Sequence, residues 1–413
     1  MNATFVGMNK ALIPAYLLTF VNVLGFSILM PVLPFIVEAY EAPKWVYGLL
    51  LTLYSAFQFV GAPYLGNLSD ELGRKPVLVI SQAGTLLSWV VFLLALYLPN
   101  TGFLGFALPL WIIAFSRILD GITGGNISVT NAYVADVTTK EEKSYIFGYL
   151  GGIVGIGLII GPGIGGFTSS SSFGYPATLV TAMVISIVAL ITIFLWLKES
   201  LPPEKRAKKT HHSVFESFFL LRQIRQTEPK PVVKLLFLLK LLFSAMSACY
   251  MGTIVLFIID IFDFNEKEIG LFMLAVGIFL AFNQAVAVKF FIKRLGVYKT
   301  LVLGLGLSAL GMYAITITEV LWAYLAFYYI LNLGFSMCFP TFTALFSLHA
   351  DPKKQGQIMG ISEGINSFAM TVFPVLAAYL YSRFGHSFYW IVGLLPFTGF
   401  LIVLTKKKEF SAE

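Results

Sequence analysis

The sequence predicts an all-α membrane protein whose twelve transmembrane helices form two six-helix bundles related by an internal repeat. Three observations carry this. Of the 413 residues, 58% are hydrophobic and 12% charged, about half the charge of a soluble domain. The apolar runs recur at the length a bilayer demands, about 20 residues per helix. Finally, Gly148, Gly152 and Pro162 in one run return as Gly360, Gly364 and Pro374 in another at a constant separation, and Leu72-Gly73 is answered by Leu295-Gly296.

Spans are expected near 11–38, 46–66, 77–98, 107–137, 144–168, 176–197, 232–259, 267–291, 298–318, 321–348, 356–381 and 386–405. The first run, Ala11 to Val37, is too long for a signal-peptide core and lacks a small-residue cleavage site, so it reads as span 1. The longest polar segment, Lys198 to Lys230, divides the spans six and six: residues 1–197 make one bundle, 198–231 a cytoplasmic linker and 232–413 the second bundle. Within the linker, Val214 to Ile224 fits an amphipathic helix on the membrane surface. His211 and His212 have no third ligand nearby and read as solvated linker residues.

The net charge of +7 is not a nucleic-acid signal, because most of the 28 Lys and Arg residues fall at the N-terminus, in every second loop, or in the tail Lys406-Lys407-Lys408. That distribution is the positive-inside pattern. It places both termini in the cytoplasm and the chain, multi-pass, in the cell (inner) membrane. Cys249 and Cys338 both sit in apolar runs, so neither a disulfide framework nor a metal site is indicated. There is no HExxH pair or Walker loop. Neither an enzyme nor an ATP-driven pump is expected, and no cofactor beyond protons.

Ionisable residues inside membrane spans are costly enough to be functional candidates. Arg117 and Asp120 lie in span 4, three residues apart, where they can pair within one helix. A carboxylate that moves between a paired and an unpaired environment changes its proton affinity, which is how a proton could be taken up on one side and released on the other. Glu363 in span 11 is a second buried acid, with Asn366 and Ser367 on its face. It reads equally as a proton carrier, a receptor for a cationic substrate or a structural acid. Glu38 and Asp260 read as interfacial, and Lys240, about two turns into span 7, is expected to snorkel to the cytoplasmic surface. Gly66 to Pro76 reads as a short polar loop joining spans 2 and 3.

Several stretches resemble the major facilitator superfamily. Gly66, Leu68 and Asp70, followed by Gly73-Arg74 and the base Lys75, match its loop between helices 2 and 3 at every position. Arg117 with Gly121 fits its helix 4 motif, and Gly161-Pro162 with Gly165-Gly166 its antiporter motif in helix 5. Together with Gly25 to Pro34, Tyr54 through Gln58 to Ala62-Pro63, and Gly121 to Gly124 running on to Asp136, the chain is similar to the tetracycline/proton antiporters of the drug:proton antiporter branch. The match is concentrated in the N-terminal half. One departure stands out: Asn22 replaces the aspartate those antiporters carry in helix 1, while Asp120 stands where they usually have a small residue. Tetracycline itself is thereby in doubt, and the proton site is expected to have moved to helix 4.

The resemblance implies a secondary active transporter: a proton-coupled antiporter exporting a drug-like or amphiphilic organic compound by alternating access. A proton-coupled flippase for a lipid-linked molecule and a nutrient or siderophore symporter are the alternatives. It implies that Asp70 faces the start of helix 11 and that Arg74 pairs with Asp136, latching the outward-open state. Asp120, Arg117 and Glu363 are the proton-coupling candidates. Polar and aromatic residues expected near the midplane, where parallel repeats place the substrate, are Asn22, Tyr54, Gln58, Asn126, Asn283, Gln284, Tyr328, Tyr329 and Asn332. The partners implied are a small organic substrate and the lipid bilayer, with the protein a monomer.

Overall fold

The computed structural model describes residues 12–206, 224–225, 227–351, 354–406 and 410. The surface helix expected around Val214 to Ile224 lies, but for Ile224, outside them, as do His211, His212, Lys407 and Lys408.

Among the described residues the helices fall into the twelve expected spans. Span 1 is α1 (Ile13–Ser27) and α2 (Leu33–Ala39), interrupted where Pro31 and Pro34 withhold backbone N–H groups. Spans 2 and 3 are α3 (Trp45–Leu72) and α4 (Arg74–Ala95). Span 4 is α5 (Leu108–Gly124) and α6 (Ile127–Val137). Spans 5 and 6 are α7 (Lys140–Ser169) and α8 (Tyr175–Trp196). In the second half, span 7 is α9 (Pro231–Met251) and α10 (Ile254–Phe262). α11 (Glu266–Phe282) passes through a π-helical turn at Asn283–Ala287 into α12 (Val288–Ala314), and α13 (Leu321–His349), α14 (Gln355–Phe384) and α15 (Phe388–Thr405) complete the chain. A two-stranded hairpin, Gly102–Phe103 with Phe106–Ala107, precedes α5 and is not among the expected elements.

The stretch expected as a loop between spans 2 and 3 is instead helix up to Leu72 and again from Arg74. Only Gly73 interrupts it, with φ 103 and ψ 159, a conformation open to glycine but strained for other residues. Gly296 has nearly the same geometry, φ 78 and ψ 168, and is what divides span 8 from span 9 inside α12. The Leu-Gly pairs of the sequence repeat thus mark one turn used twice.

Contacts divide the described chain into two compact units, one drawn from Met1–Ala42, Leu53–Glu216 and Glu266–Leu271, the other from Pro43–Thr52, Ser217–Asn265 and Phe272–Glu413. In the first, α1 packs on α7 and α8, and α4 on α5 and α8. The second repeats this pattern: α9 packs on α14 and α15, and α12 on α13 and α15. With no hydrophobic force between helices in lipid, close approach of backbones over small residues supplies the attraction.

α7 shows how its glycines serve that purpose. A methyl group at Gly161 would strike Ser27, and one at Gly165 would strike the Ile28 carbonyl and Pro31, so the interruption of span 1 lies against this face. Ser27 Oγ donates to the Gly157 carbonyl there at 3.0 Å. Gly166 and Pro162 meet Gly270 at the start of α11, with Gly166 and Gly270 in backbone contact. In the second unit Pro374 of α14 fills the same role, its backbone against Gly48 and Gly252.

Candidate functional site

The first unit holds a buried ion pair in span 4. Arg117 Nη1 donates to Asp120 Oδ2 at 3.2 Å, and both residues are 3% exposed. The guanidinium lies against two rings of neighbouring α4, 4.9 Å from the centroid of Trp89 and 5.2 Å from that of Phe92. Such cation–π contact offers a buried arginine an alternative to hydrogen bonds, and Arg117 Nε and Nη2 have no hydrogen-bond partner among the described residues. Thr85 and Ser88, also on α4, lie near Asp120, and the Ser88 hydroxyl donates to the Thr85 carbonyl at 2.7 Å. Thr85 further shares a 2.9 Å hydrogen bond with Thr123. Charge separation is therefore confined to one helix turn and set among hydroxyls and aromatic rings, the arrangement that makes a buried pair tolerable.

Glycines bring α3 to this pair. Gly121 packs on the Tyr54 carbonyl, Gly61 on Ile122 and Gly125 on the Gly61–Ala62 backbone. Tyr54, 6% exposed, stands within electrostatic reach of Asp120 and Arg117 and stacks on Phe26 with centroids 5.4 Å apart. Gln58, one turn on, donates to Tyr54 Oη at 3.1 Å and to the Gly124 carbonyl at 3.3 Å. Asn22 of α1 donates to Asn126 Oδ1 at 2.5 Å, at the point where span 4 tightens between α5 and α6. Thus Asn22, Asn126, Tyr54, Gln58, Arg117 and Asp120 all belong to one polar interior within the first unit.

A second cluster in this unit centres on Arg74. Its Nε donates to Asp136 at 3.0 Å, and its Nη1 to Asp70 at 2.6 Å and Ser69 at 2.7 Å. Ser200 adds a 3.0 Å bond to Asp136. The N-terminus of α4 is satisfied by Glu199, whose carboxylate accepts from the backbone N–H groups of Arg74 and Lys75 at 2.9 and 3.1 Å. A side chain at Gly73 would collide with that carboxylate and with Arg206. Sequence reasoning passed over Glu199. It lies next to the cluster only in the fold, although an acid at the end of span 6 beside a run of bases was the available signal. Gly66 approaches Ser128 without crowding it.

In the second unit the expected polar residues separate into two groups. Asn283, buried at the π-helical turn, donates to Asn332 at 3.1 Å and accepts from Tyr329 at 2.9 Å, while Asn332 also donates to the Val276 carbonyl at 3.3 Å. A π-turn inserts one extra residue and rotates the side chains after it, a distortion common at functional sites. Tyr328, on another face of α13, is hydrogen-bonded to Tyr250 within an aromatic group that includes Tyr324 and Phe272. Gln284 does not join Asn283: it is exposed. Adjacent positions of a helix are turned about 100° from one another, and only Asn283 of the pair enters the buried network.

Two expectations about charged residues are corrected. Glu363 is exposed rather than buried. Lys240 does not snorkel: it is 5% exposed, and its ammonium lies 5.8 Å from the ring centroids of both Phe339 and Phe342. The face of α9 that carries Lys240 meets α13 and α14, which sequence periodicity alone does not reveal. Asp260 pairs with Lys44 and accepts from Tyr381 at 2.9 Å.

Comparison with known proteins follows the same lines. Over 404 residues the chain is 27% identical to the class H tetracycline resistance protein of Pasteurella multocida, with 96% of each chain covered. It is 26% identical over 393 residues to multidrug resistance protein 2 of Bacillus subtilis, covering 94% of this chain and 93% of that one. The crystal structure of the human organic anion transporter MFSD10 shares the fold, with a TM-score of 0.69, 20% identity, and 95% and 99% of the two chains covered. The sequence profile of the Major Facilitator Superfamily matches residues 15–361 and 236–412; the chain belongs to that superfamily of multi-pass membrane transporters.

Proposed function

We propose that the protein is a proton-coupled antiporter that exports a drug-like or amphiphilic organic compound by alternating access, without enzymatic activity. The observation that carries this reading is the closed Arg117–Asp120 pair within a membrane span. A full ion pair buried in lipid is costly to keep and destabilises when broken by about 3–5 kcal/mol, so its presence in a transporter favours a working role. Asp120 is the proton-binding group in this reading, and Arg117 is the charge that competes with the proton for it. Asn22, Tyr54, Gln58 and Asn126 form the polar lining of the first unit, and Asn283, Tyr329 and Asn332 that of the second, each set among aromatic and aliphatic side chains as suits an organic ligand. The Arg74 cluster acts as a latch that alternates with the conformational cycle. The names of the relatives, tetracycline, multidrug and quinolone resistance proteins, support export over import, as does the glycine seam of α7.

The charge distribution supports residence in the cell membrane with both termini in the cytoplasm. The test is the direction of flux. In everted membrane vesicles an antiporter accumulates a fluorescent substrate when the vesicle interior is acid, and a protonophore abolishes the accumulation. Substrate leaving such vesicles under the same gradient would mark a symporter and overturn the reading.

A further inference from the structure

The second unit contains an ammonium and a carboxylate within electrostatic reach of one another that form no ion pair. Lys240 of α9 is within electrostatic reach of Glu363 of α14. Yet among the described residues neither makes an ion pair. Lys240 rests instead on the rings of Phe339 and Phe342 of α13. One turn further along α9, the Ser244 hydroxyl is buried with no hydrogen-bond partner among the described residues. Glu363, in the first third of α14, is exposed, and Phe339 is 37% exposed.

These facts fit together only in one way. A carboxylate exposed to hydrocarbon is far too costly, so the face of α14 that carries Glu363 meets water or ligand. An ammonium in the same neighbourhood, held back by aromatic faces rather than by that carboxylate, keeps its three N–H donors uncommitted. The first unit shows what a resident pair looks like in this protein: Arg117 and Asp120 are in contact at 3.2 Å and sealed. Lys240 and Glu363 are the opposite case, two charges of opposite sign within reach of one another and not in contact. A lone anion placed on Lys240 would leave Glu363 uncompensated, and a lone cation on Glu363 would leave Lys240 so. A ligand bearing both charges keeps the site neutral.

We propose that Lys240 and Glu363 form a substrate subsite for a zwitterionic organic compound, its anionic group on Lys240 and its cationic group on Glu363, with Phe339 as the apolar floor. The assignment rests on the transporter reading above and names the substrate class. The test is equilibrium binding to the purified full-length protein in detergent, with no proton gradient. Its outcome is therefore independent of whether transport is proton-coupled. Three forms of one fluorescent scaffold serve as probes at neutral pH: ciprofloxacin, its carboxyl methyl ester, which is a cation, and its N-acetyl derivative, which is an anion.

The wild type is expected to bind the zwitterion about tenfold more tightly than either singly charged form, the scale of one lost charge-assisted contact. Lys240→Gln is expected to erase the preference over the ester, and Glu363→Gln the preference over the N-acetyl form, each leaving the other preference in place. Lys240→Arg restores the first preference, which separates charge recognition from a packing defect. A wild type that binds the three forms equally or not at all, or variants with unchanged ratios, overturns the subsite.

Discussion

The Arg117 guanidinium stands 3.2 Å from the Asp120 carboxylate, with the ring centroids of Trp89 and Phe92 4.9 and 5.2 Å away. Each charge is solvated chiefly by the other, so removing one alone strands its partner in a dry interior. Arg117→Gln is expected to lower stability by about 3–5 kcal/mol, and the double substitution Arg117→Gln with Asp120→Asn by clearly less. Thermal unfolding of the purified single and double variants checks this. Equal additive losses would mean that the two charges do not depend on each other.

The Trp89 ring is the second support of that guanidinium. Trp89→Leu keeps an apolar side chain but removes the π face, and is expected to cost about 2 kcal/mol or more through lost cation–π contact and packing. Arg117→Lys should be no rescue, because an ammonium cannot span both rings and reach Asp120 as a planar guanidinium does. Stability and transport of both variants, measured side by side, test the arrangement.

Gly73 and Glu199 form a turn and its cap. Gly73→Ala meets both a positive φ and the Glu199 carboxylate, and is expected to destabilise by about 1–2 kcal/mol. Glu199→Gln retains the shape but loses the negative charge at the α4 N-terminus, for an expected loss of about 1 kcal/mol. Asp70→Asn weakens the latch at Arg74 without disturbing the α4 cap, so it is expected to change transport rate and conformational populations more than melting temperature. Distance measurements between spin labels report the populations.

The glycines of α7 are not equivalent. Gly161→Ala and Gly165→Ala place a methyl group into Ser27 and Ile28 and are expected to destabilise by about 1–3 kcal/mol through overpacking. Gly151→Ala and Gly155→Ala meet nothing within 4 Å and are expected to be neutral or to stabilise the helix by up to about 1 kcal/mol. Melting temperatures of the four variants separate a packing seam from a merely glycine-rich helix.

How much of this the sequence disclosed depends on the kind of relationship. The spans follow from hydrophobic length, and the Arg117–Asp120 pairing from a spacing of three on one helix. Both are local properties that a chain displays in order. Glu199, the contact of Arg117 with Trp89 and Phe92, and the burial of Lys240 depend instead on which helix faces meet. Nothing in a single apolar run fixes that. The exposure of Gln284 was hidden for a further reason: beside it stands Asn283, buried at the π-turn, and no residue pattern there announces the turn. The two positive-φ glycines fall in between. Gly73 and Gly296 were visible as a repeated Leu-Gly pair, but a loop was expected at Gly73 where the helices run up to the glycine on both sides.

The account turns on Asp120 as the group that exchanges the proton. The most direct measurement compares wild type and Asp120→Asn in proteoliposomes, using a compound the wild type transports, under an imposed pH gradient and under substrate counterflow without one. The account predicts that Asp120→Asn loses gradient-driven accumulation while counterflow persists. Gradient-driven accumulation retained at the wild-type level in Asp120→Asn would contradict it.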